Sequence, residues 1–435
     1  MSELKRALGI PMLTFYGTGM ILGAGIYSII GTAADLTAES LWISFILASV
    51  VALLTAFSYA ELATMFPKAG AEFIYLGKAF KKQKWFAETV GFAMAFSGAA
   101  TAATVALAFS GYLNKFVEVP SAAVAPALLM ILTAIALIGI RISGWANIIF
   151  TLIEIGGLGL IIYLGLQSEK FGEAISAAPS MGTLTGAALI IFSFFGFENI
   201  VNLAEEAKKP ESHIPKAIFI SLGVATALYI LVSFAALALV PTEKLAQSSA
   251  ALMTAAQASS ENAGKILGSI ALFATANTAL IAMIGASRIL YGMAKQHSLP
   301  EVMMKVASKN KTPWTASTVV LITALVLLPL GKVETVASVS ALATLFAFIA
   351  VNLTLIRLRY TDSRRERPFR VPLSIGRLPL LPVFGVILCV VFLFQFEPTV
   401  YLVGGLFLLI SAAAFVMRGR YKKRHPIMTF LRESF

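Results

Sequence analysis

Four carboxylates lie in or at the ends of stretches that carry almost no other charge: Glu61, Glu88, Glu154 and Glu198. An unpaired charge at the centre of a membrane helix costs at least ~2.5 kcal/mol, so such residues are kept for a reason. Glu88 falls at a helix start, an interfacial position. Glu61 lies a turn inside the end of its span, within reach of Lys68 or water, where a structural and a gating role stand side by side. Glu154 and Glu198 are deeper. Glu198 directly follows Phe194-Phe195-Gly196-Phe197 and is flanked by Asn199 and Asn202. A helix interrupted there must find partners for its freed carbonyls.

A second interruption is written earlier, in Gly17 to Gly31, GTGMILGAGIYSIIG. Glycine lets the backbone unwind or approach a ligand closely. A half-helix that begins inside the membrane presents backbone N–H groups and a positive end, suited to a carboxylate. Taken alone, GAG is as easily a packing motif, because small residues let membrane helices approach one another. Paired interruptions in two halves of a chain are the sequence mark of a transporter built from inverted repeats.

These residues need a membrane scaffold to position them, and composition supplies it. Of 435 residues, 58% are hydrophobic and 13% charged, with mean hydropathy +0.85. Apolar spans fall at about 10–33, 41–65, 86–113, 122–140, 147–166, 184–203, 215–240, 265–292, 315–331, 335–357, 379–396 and 399–417, each near the ~20 residues a crossing helix needs. The expectation is an all-α protein of about twelve transmembrane helices, a single transporter domain over 1–417 with a basic tail at 418–435. The net charge of +12 is distributed by side. With the N-terminus in the cytoplasm, the outer connections hold only Lys115, Lys170, Lys244, Lys265 and Lys332 of 34 lysines and arginines. Both termini are then cytoplasmic, the partner of the chain is the lipid bilayer, and nucleic acid is not needed to explain the charge. One cysteine, Cys389, and three histidines in polar connections argue against a disulfide or a metal cluster. The outer segment 241–264 reads as a surface helix.

In order, the chain shows Gly23-Ala24-Gly25-Ile26-Tyr27, then Tyr59 to Leu62 and Pro67 to Tyr75, then Ser193 to Glu198 followed by Glu205 to Ile218, then Arg288 to Pro300, and Arg367 to Pro372. This set resembles the amino acid–polyamine–organocation superfamily over essentially the whole chain. The resemblance implies a leucine-transporter-like fold, with inverted repeats at about 10–166 and 184–357 and two added helices at about 379–417. It also implies a substrate held between broken helices 1 and 6. N–H groups around Gly23, Ala24, Gly25 and Ile26 would take its carboxylate. Carbonyls near Ile21, Phe192 and Phe195 would take its amino group. Gly196, Phe197 and Glu198 complete the site, Phe192 is placed as an aromatic gate and Ala282 as a small pocket residue. One position departs from several proton-coupled relatives, which carry a lysine where this chain has Glu154. A desolvated Glu154 facing helices 1 and 8 would itself take and release the coupling proton. Sodium, with Thr275 and Thr278 as oxygen ligands, is the other coupling ion in play, and no cofactor is called for.

The function expected from these readings is secondary transport of amino acids by alternating access, coupled to protons. Nothing matches G-x-x-x-x-G-K-[ST], so ATP-driven transport by this chain is not expected. An amino acid or polyamine exchanger is the nearest alternative. A sensor lacks a domain to drive, and a membrane enzyme lacks a buried histidine or metal, so the chain reads as no enzyme. Apolar pocket residues favour a neutral cargo, while Glu154 and Glu198 keep a cationic one in contention.

Overall fold

A computed structural model of the chain describes residues 8–23, 25–68, 70–138, 144–172, 178–204, 206–307 and 312–424. The helices are α1 Ile10–Leu22, α2 Gly25–Thr37, α3 Leu41–Met65, α4 Ala71–Ala79, α5 Lys84–Leu113, α6 Ser121–Ile138, α7 Gly144–Leu166, α8 Thr183–Ile190 and α9 Phe197–Ile200. They continue as α10 Pro210–Leu239, α11 Thr242–Ala246, α12 Ala251–Gln257, α13 Glu261–Lys295, α14 Trp314–Leu327, α15 Val333–Thr361, α16 Leu380–Leu393, α17 Pro398–Val400 and α18 Leu406–Arg424. A two-stranded ribbon, β1 Ser374–Ile375 and β2 Leu378–Pro379, interrupts the helical pattern. Eight helical runs among the described residues are long and apolar enough to cross a membrane, with Ile10–Met65 counted as one. Shorter apolar helices, Ala122–Leu137, Trp314–Leu330 and Leu380–Leu393, stand beside them. This is an all-α membrane protein.

The two interruptions fall where glycine and phenylalanine place them. The first run is interrupted between α1, ending at Leu22, and α2, starting at Gly25; Gly23 still has helical dihedrals, φ −54° and ψ −46°, and its N–H bonds the Gly19 carbonyl. The second tightens from α8 into a 3₁₀ turn, Ile191–Phe194, and then breaks. Phe195 is extended, with φ −66° and ψ 142°, and Gly196 follows at φ +129°. No residue with a Cβ adopts that φ comfortably. A Cβ on Gly196 would also lie 2.9 Å from the carbonyl carbon of Met20, so the second break rests against the backbone of α1 just before the first.

Hydrogen bonds fix the two ends of the bundle. At one end, Leu8 N–H donates to the Glu206 carbonyl and Lys208 N–H returns to Leu8, tying the chain before α1 to the chain after α9. Asn202 Oδ1 accepts the N–H groups of Gly70 and Ala71, the open start of α4, at 3.0 and 3.2 Å. At the other end, Ser40 bonds Thr183 and Ser180, and Ser44 donates to the Thr183 carbonyl, closing α3 against α8. The 241–264 segment is no surface helix. It forms α11 and α12, whose Leu245, Ala251, Leu252, Met253, Ala255 and Ala256 are buried and plug this same end.

Candidate functional site

The two breaks face one cavity of about 80 Å³. Met20, Ile21 and Gly25 line it from the first, and Phe192, Phe195, Gly196, Glu198 and Asn199 from the second. The remaining walls come from α5, through Met94, Ser97, Gly98 and Thr101, and from α13, from Thr278 to Ile289. Among the expected site residues, Ile21, Gly25, Phe192, Phe195, Gly196 and Glu198 are thus brought together. Ile26 and Phe197 are fully buried away from the cavity. Phe197 instead meets Tyr59 edge to face and Phe348 at a tilt, at ring centroid distances of 5.6 and 5.4 Å. Ala24 lies outside the described residues.

Gly25 lines the cavity but its Cα also faces the second break. A Cβ there would run into the Ser193 backbone, 2.9 Å from its carbonyl oxygen. Glycine at this position therefore serves close helix packing as well as access to the backbone.

The freed backbone groups are met in a different way from the sequence expectation. Tyr229, on α10, aims its hydroxyl at the carbonyls of Ile21 and Ser193, 2.6 and 2.9 Å away. One proton serves two acceptors, so these carbonyls keep lone pairs for a further donor. The Phe192 carbonyl accepts the Phe195 N–H at 3.3 Å. Glu198 was expected beside free carbonyls, yet its Oε2 accepts the freed N–H of Gly196 at 2.8 Å, while Oε1 accepts Asn199 Nδ2 at 3.2 Å. A carboxyl in the first turn after a break suits the positive end of that segment.

Glu154 stands behind the first break. A Cβ on Gly23 would meet the Thr278 hydroxyl and lie 3.6 Å from Glu154 Oε1, and the Gly19 carbonyl, already holding Gly23 N–H at 3.0 Å, is beside them. The Glu154 side chain is fully buried, and neither carboxyl oxygen has a hydrogen-bond partner among the described residues. Its backbone carbonyl accepts Tyr27 Oη at 3.3 Å, and Tyr112 Oη donates to the Tyr27 carbonyl at 3.0 Å. Thr275 donates to the Ala271 carbonyl in its own helix, as buried hydroxyls commonly do.

Glu61 is satisfied at a distance from the cavity. Arg359 Nη2 and Arg367 Nη1 each lie 2.5 Å from its carboxylate, and the Val371 N–H donates at 2.7 Å. Among the described residues its charged partners are not Lys68 but the arginines of α15 and the following loop. Glu88 reaches Arg418 on α18 at 3.8 Å. The other buried carboxyl, Glu72, accepts the Tyr59 hydroxyl at 3.0 Å.

Residues 8–417 match the family model described as amino acid permease. The chain belongs to that family. The permease is 27% identical to a branched-chain amino acid permease of Bacillus subtilis (strain 168), over 89% of this chain and 87% of the relative. It is 25% identical to a methylthioribose transporter of the same organism, over 98% and 95%. It is also 30% identical to cationic amino acid transporter 4 of Mus musculus, over 82% of this chain and 60% of the relative. Amino acid transport through the membrane is the activity this membership supports.

The α5 wall was not read from the sequence. Ser97 and Gly98 sit one helical turn before Thr101 in an otherwise alanine-rich span, the one local sign of a polar, narrow face. Behind them Ser340 and Thr344 of α15 complete a chain of hydroxyls, with Ser97–Thr344 at 2.6 Å and Thr101–Ser340 at 2.9 Å.

Proposed function

We propose that this permease carries a neutral amino acid by alternating access, driven by protons that bind Glu154. The observation that carries the reading is that both helix breaks open on one cavity. The end of α1 leaves carbonyls, and the chain restarting as α2 leaves N–H groups, which match the two ends of a zwitterion. The first half-helix runs 13 residues before its break, and the other 8 plus a 4-residue turn. This similarity supports two inverted repeats, helices 1–5 and 6–10, within twelve crossings. We assign the end carrying Leu8 and Lys295 to the cytoplasm from the distribution of lysine and arginine along the sequence. The plugged end is then outside.

Relatives carry names for branched-chain amino acids, methylthioribose and cationic amino acids, so the cargo class rests on the lining. Met20, Ile21, Phe192, Phe195, Ile281 and Ile289 are apolar, and the only carboxyl among the described lining residues, Glu198, has both oxygens occupied. An apolar side chain fits that wall better than a cation.

Coupling rests on Glu154. A buried carboxylate with no partner is far costlier than a buried carboxylic acid, so the closed arrangement around Gly23 favours the protonated group. Opening the break to water would let the proton leave. A sodium ion among Thr278, the Gly19 carbonyl and Glu154 is the second reading, favoured by the same three oxygens around Gly23. The test is uptake of L-leucine, L-alanine and L-arginine into proteoliposomes under separate proton and sodium gradients, in wild type and Glu154→Gln. The proposal expects L-leucine uptake to follow the proton gradient in wild type and to lose that response in the variant, with binding kept. An unchanged gradient response in Glu154→Gln removes Glu154 from coupling.

A further inference from the structure

Between α15 and α16 the chain turns back through the ribbon of β1 and β2. Ile375 lies directly opposite Leu378, and Ser374 opposite Pro379. The Leu373 carbonyl then accepts the Leu380 N–H at 2.9 Å, which carries the ladder into the first residue of α16. Residues directly opposite in an antiparallel pair share a face, and the next pair along lies on the other. One face therefore holds Ser374 and Pro379, and Pro379 is buried. The other holds Leu373, Ile375, Leu378 and Leu380, with Leu373 66% and Ile375 71% exposed. Leu373 stands at φ +54°, a conformation that a bulky residue seldom adopts. Its backbone role, a carbonyl offered to the start of α16, glycine would fill more easily. What the leucine adds is an aliphatic side chain facing out of the fold.

What this face meets follows from where it continues. Leu380, Phe384 and Ile387 succeed one another at helical spacing on α16, and the last two are exposed. An exposed apolar stripe on an apolar helix of a membrane protein is the side that lipid covers. The aliphatic face of the ribbon thus runs on into a lipid-facing stripe. The helix before the ribbon ends with Tyr360 exposed in its last turn, as rings commonly are at the headgroup level.

The charge of the loop selects the lipid. Arg365 pairs with Asp362, and Arg367 with Glu61. Arg364, Arg370 and Arg377 are exposed with no ion pair or hydrogen bond among the described residues, against one unpaired acid, Glu366. Arg377 sits in the two-residue turn of the ribbon, beside Gly376 at φ +61°. The phosphate of phosphatidylcholine is offset by its own choline, whereas that of an acidic lipid is free for the two parallel hydrogen bonds of a guanidinium.

We propose that the ribbon is an anchor for anionic phospholipid: its aliphatic face enters the headgroup layer, and Arg370 and Arg377 hold phosphate oxygens of acidic lipids. The same loop is bound to Glu61 through Arg367 and the Val371 N–H, so the anchor ties α3 and α15 to the lipid surface. It stands apart from the transport reading, which concerns the cavity.

The test places bimane on Ile375→Cys in nanodiscs; the native Cys389 is buried and stays unlabelled. Phe384→Cys is the lipid-exposed control and Ser363→Cys the loop control. The quenchers are phosphatidylcholine and phosphatidylglycerol brominated near the top of their chains, and aqueous iodide. The label at 375 should be quenched by bromolipid, as at 384, and shielded from iodide, unlike the label at 363. Half-maximal quenching should need about fivefold less bromophosphatidylglycerol than bromophosphatidylcholine for each arginine engaged, the ~1 kcal/mol of a basic residue at an anionic surface. Arg370→Gln with Arg377→Gln should remove most of that preference, and Arg370→Lys with Arg377→Lys should keep most of it. A label at 375 that iodide quenches and bromolipid does not overturns the anchor. So does a label shielded from both, which would mean that a second protein surface covers the ribbon. Equal quenching by the two lipids in the parent protein, or a preference unchanged in the double glutamine variant, overturns it as well.

Discussion

Glu61→Gln should unfold the corner of the permease where Arg359 and Arg367 meet α3. The substitution keeps shape and volume, but it removes the one negative charge on which two guanidiniums converge. Arg359 and Arg367 are each 2.5 Å from the carboxylate, with Arg359 3% and Arg367 8% exposed and Glu61 wholly buried. Breaking a buried pair from one side leaves an uncompensated charge and costs about 3–5 kcal/mol. Here two arginines are orphaned, and the Val371 N–H loses its acceptor, so the upper part of that range applies. The loop that carries Arg364, Arg365, Arg367, Arg370 and Arg377 is held by these contacts. Equilibrium unfolding in mixed micelles gives the stability, and limited trypsinolysis reports the loop, since Arg364, Arg365, Arg370 and Arg377 are cleavage sites once freed, while Pro368 blocks cleavage after Arg367. Glu61→Gln should lose about 3–5 kcal/mol and be cut between 362 and 378. Adding Arg359→Met should recover part of the loss by removing one unpaired charge. A Glu61→Gln protein within ~1 kcal/mol of wild type, with its loop equally resistant, would refute the reasoning.

The same substitution at Glu154 should cost under ~1 kcal/mol, because an unpartnered neutral acid and a primary amide are nearly interchangeable in a buried site; the same unfolding experiment checks it. Tyr229→Phe should cost about 1–3 kcal/mol, from two buried carbonyls that lose their donor, and reduce L-leucine uptake. The ring contacts with Phe45 and Phe194 remain in that variant, so a Tyr229→Phe protein with wild-type stability and uptake would show that the bridge between the breaks is dispensable. Phe192→Ala should weaken uptake more than Phe192→Tyr, because a ring packed against Phe195 at 5.8 Å still excludes water from the cavity. Equal rates for the two variants would make Phe192 plain packing.

The amino acid order alone marked where the chain breaks. At Gly196 the cause is local backbone freedom, since its φ of +129° needs no distant residue to explain it, whereas Gly23 keeps helical dihedrals and Gly25 is required by its approach to Ser193. Hydropathy likewise marked the apolar spans, because lipid selects on length and composition within one segment. What each polar group meets was decided only by tertiary structure. Glu61 finds Arg359 across 298 positions, and the Ile21 carbonyl finds Tyr229 across 208. No periodicity announces such partners, since spans in lipid are apolar around most of their circumference and hide which face turns inward. Glu198 shows the converse case. Its partner Gly196 is two residues away, yet whether the carboxyl would serve an N–H or stand beside carbonyls depended on which side of the break it fell. The α5 wall and the plug at 241–264 were decided in the same way, by which helix faces close on one another, because serine, alanine and glycine pack against helices as readily as they line a surface.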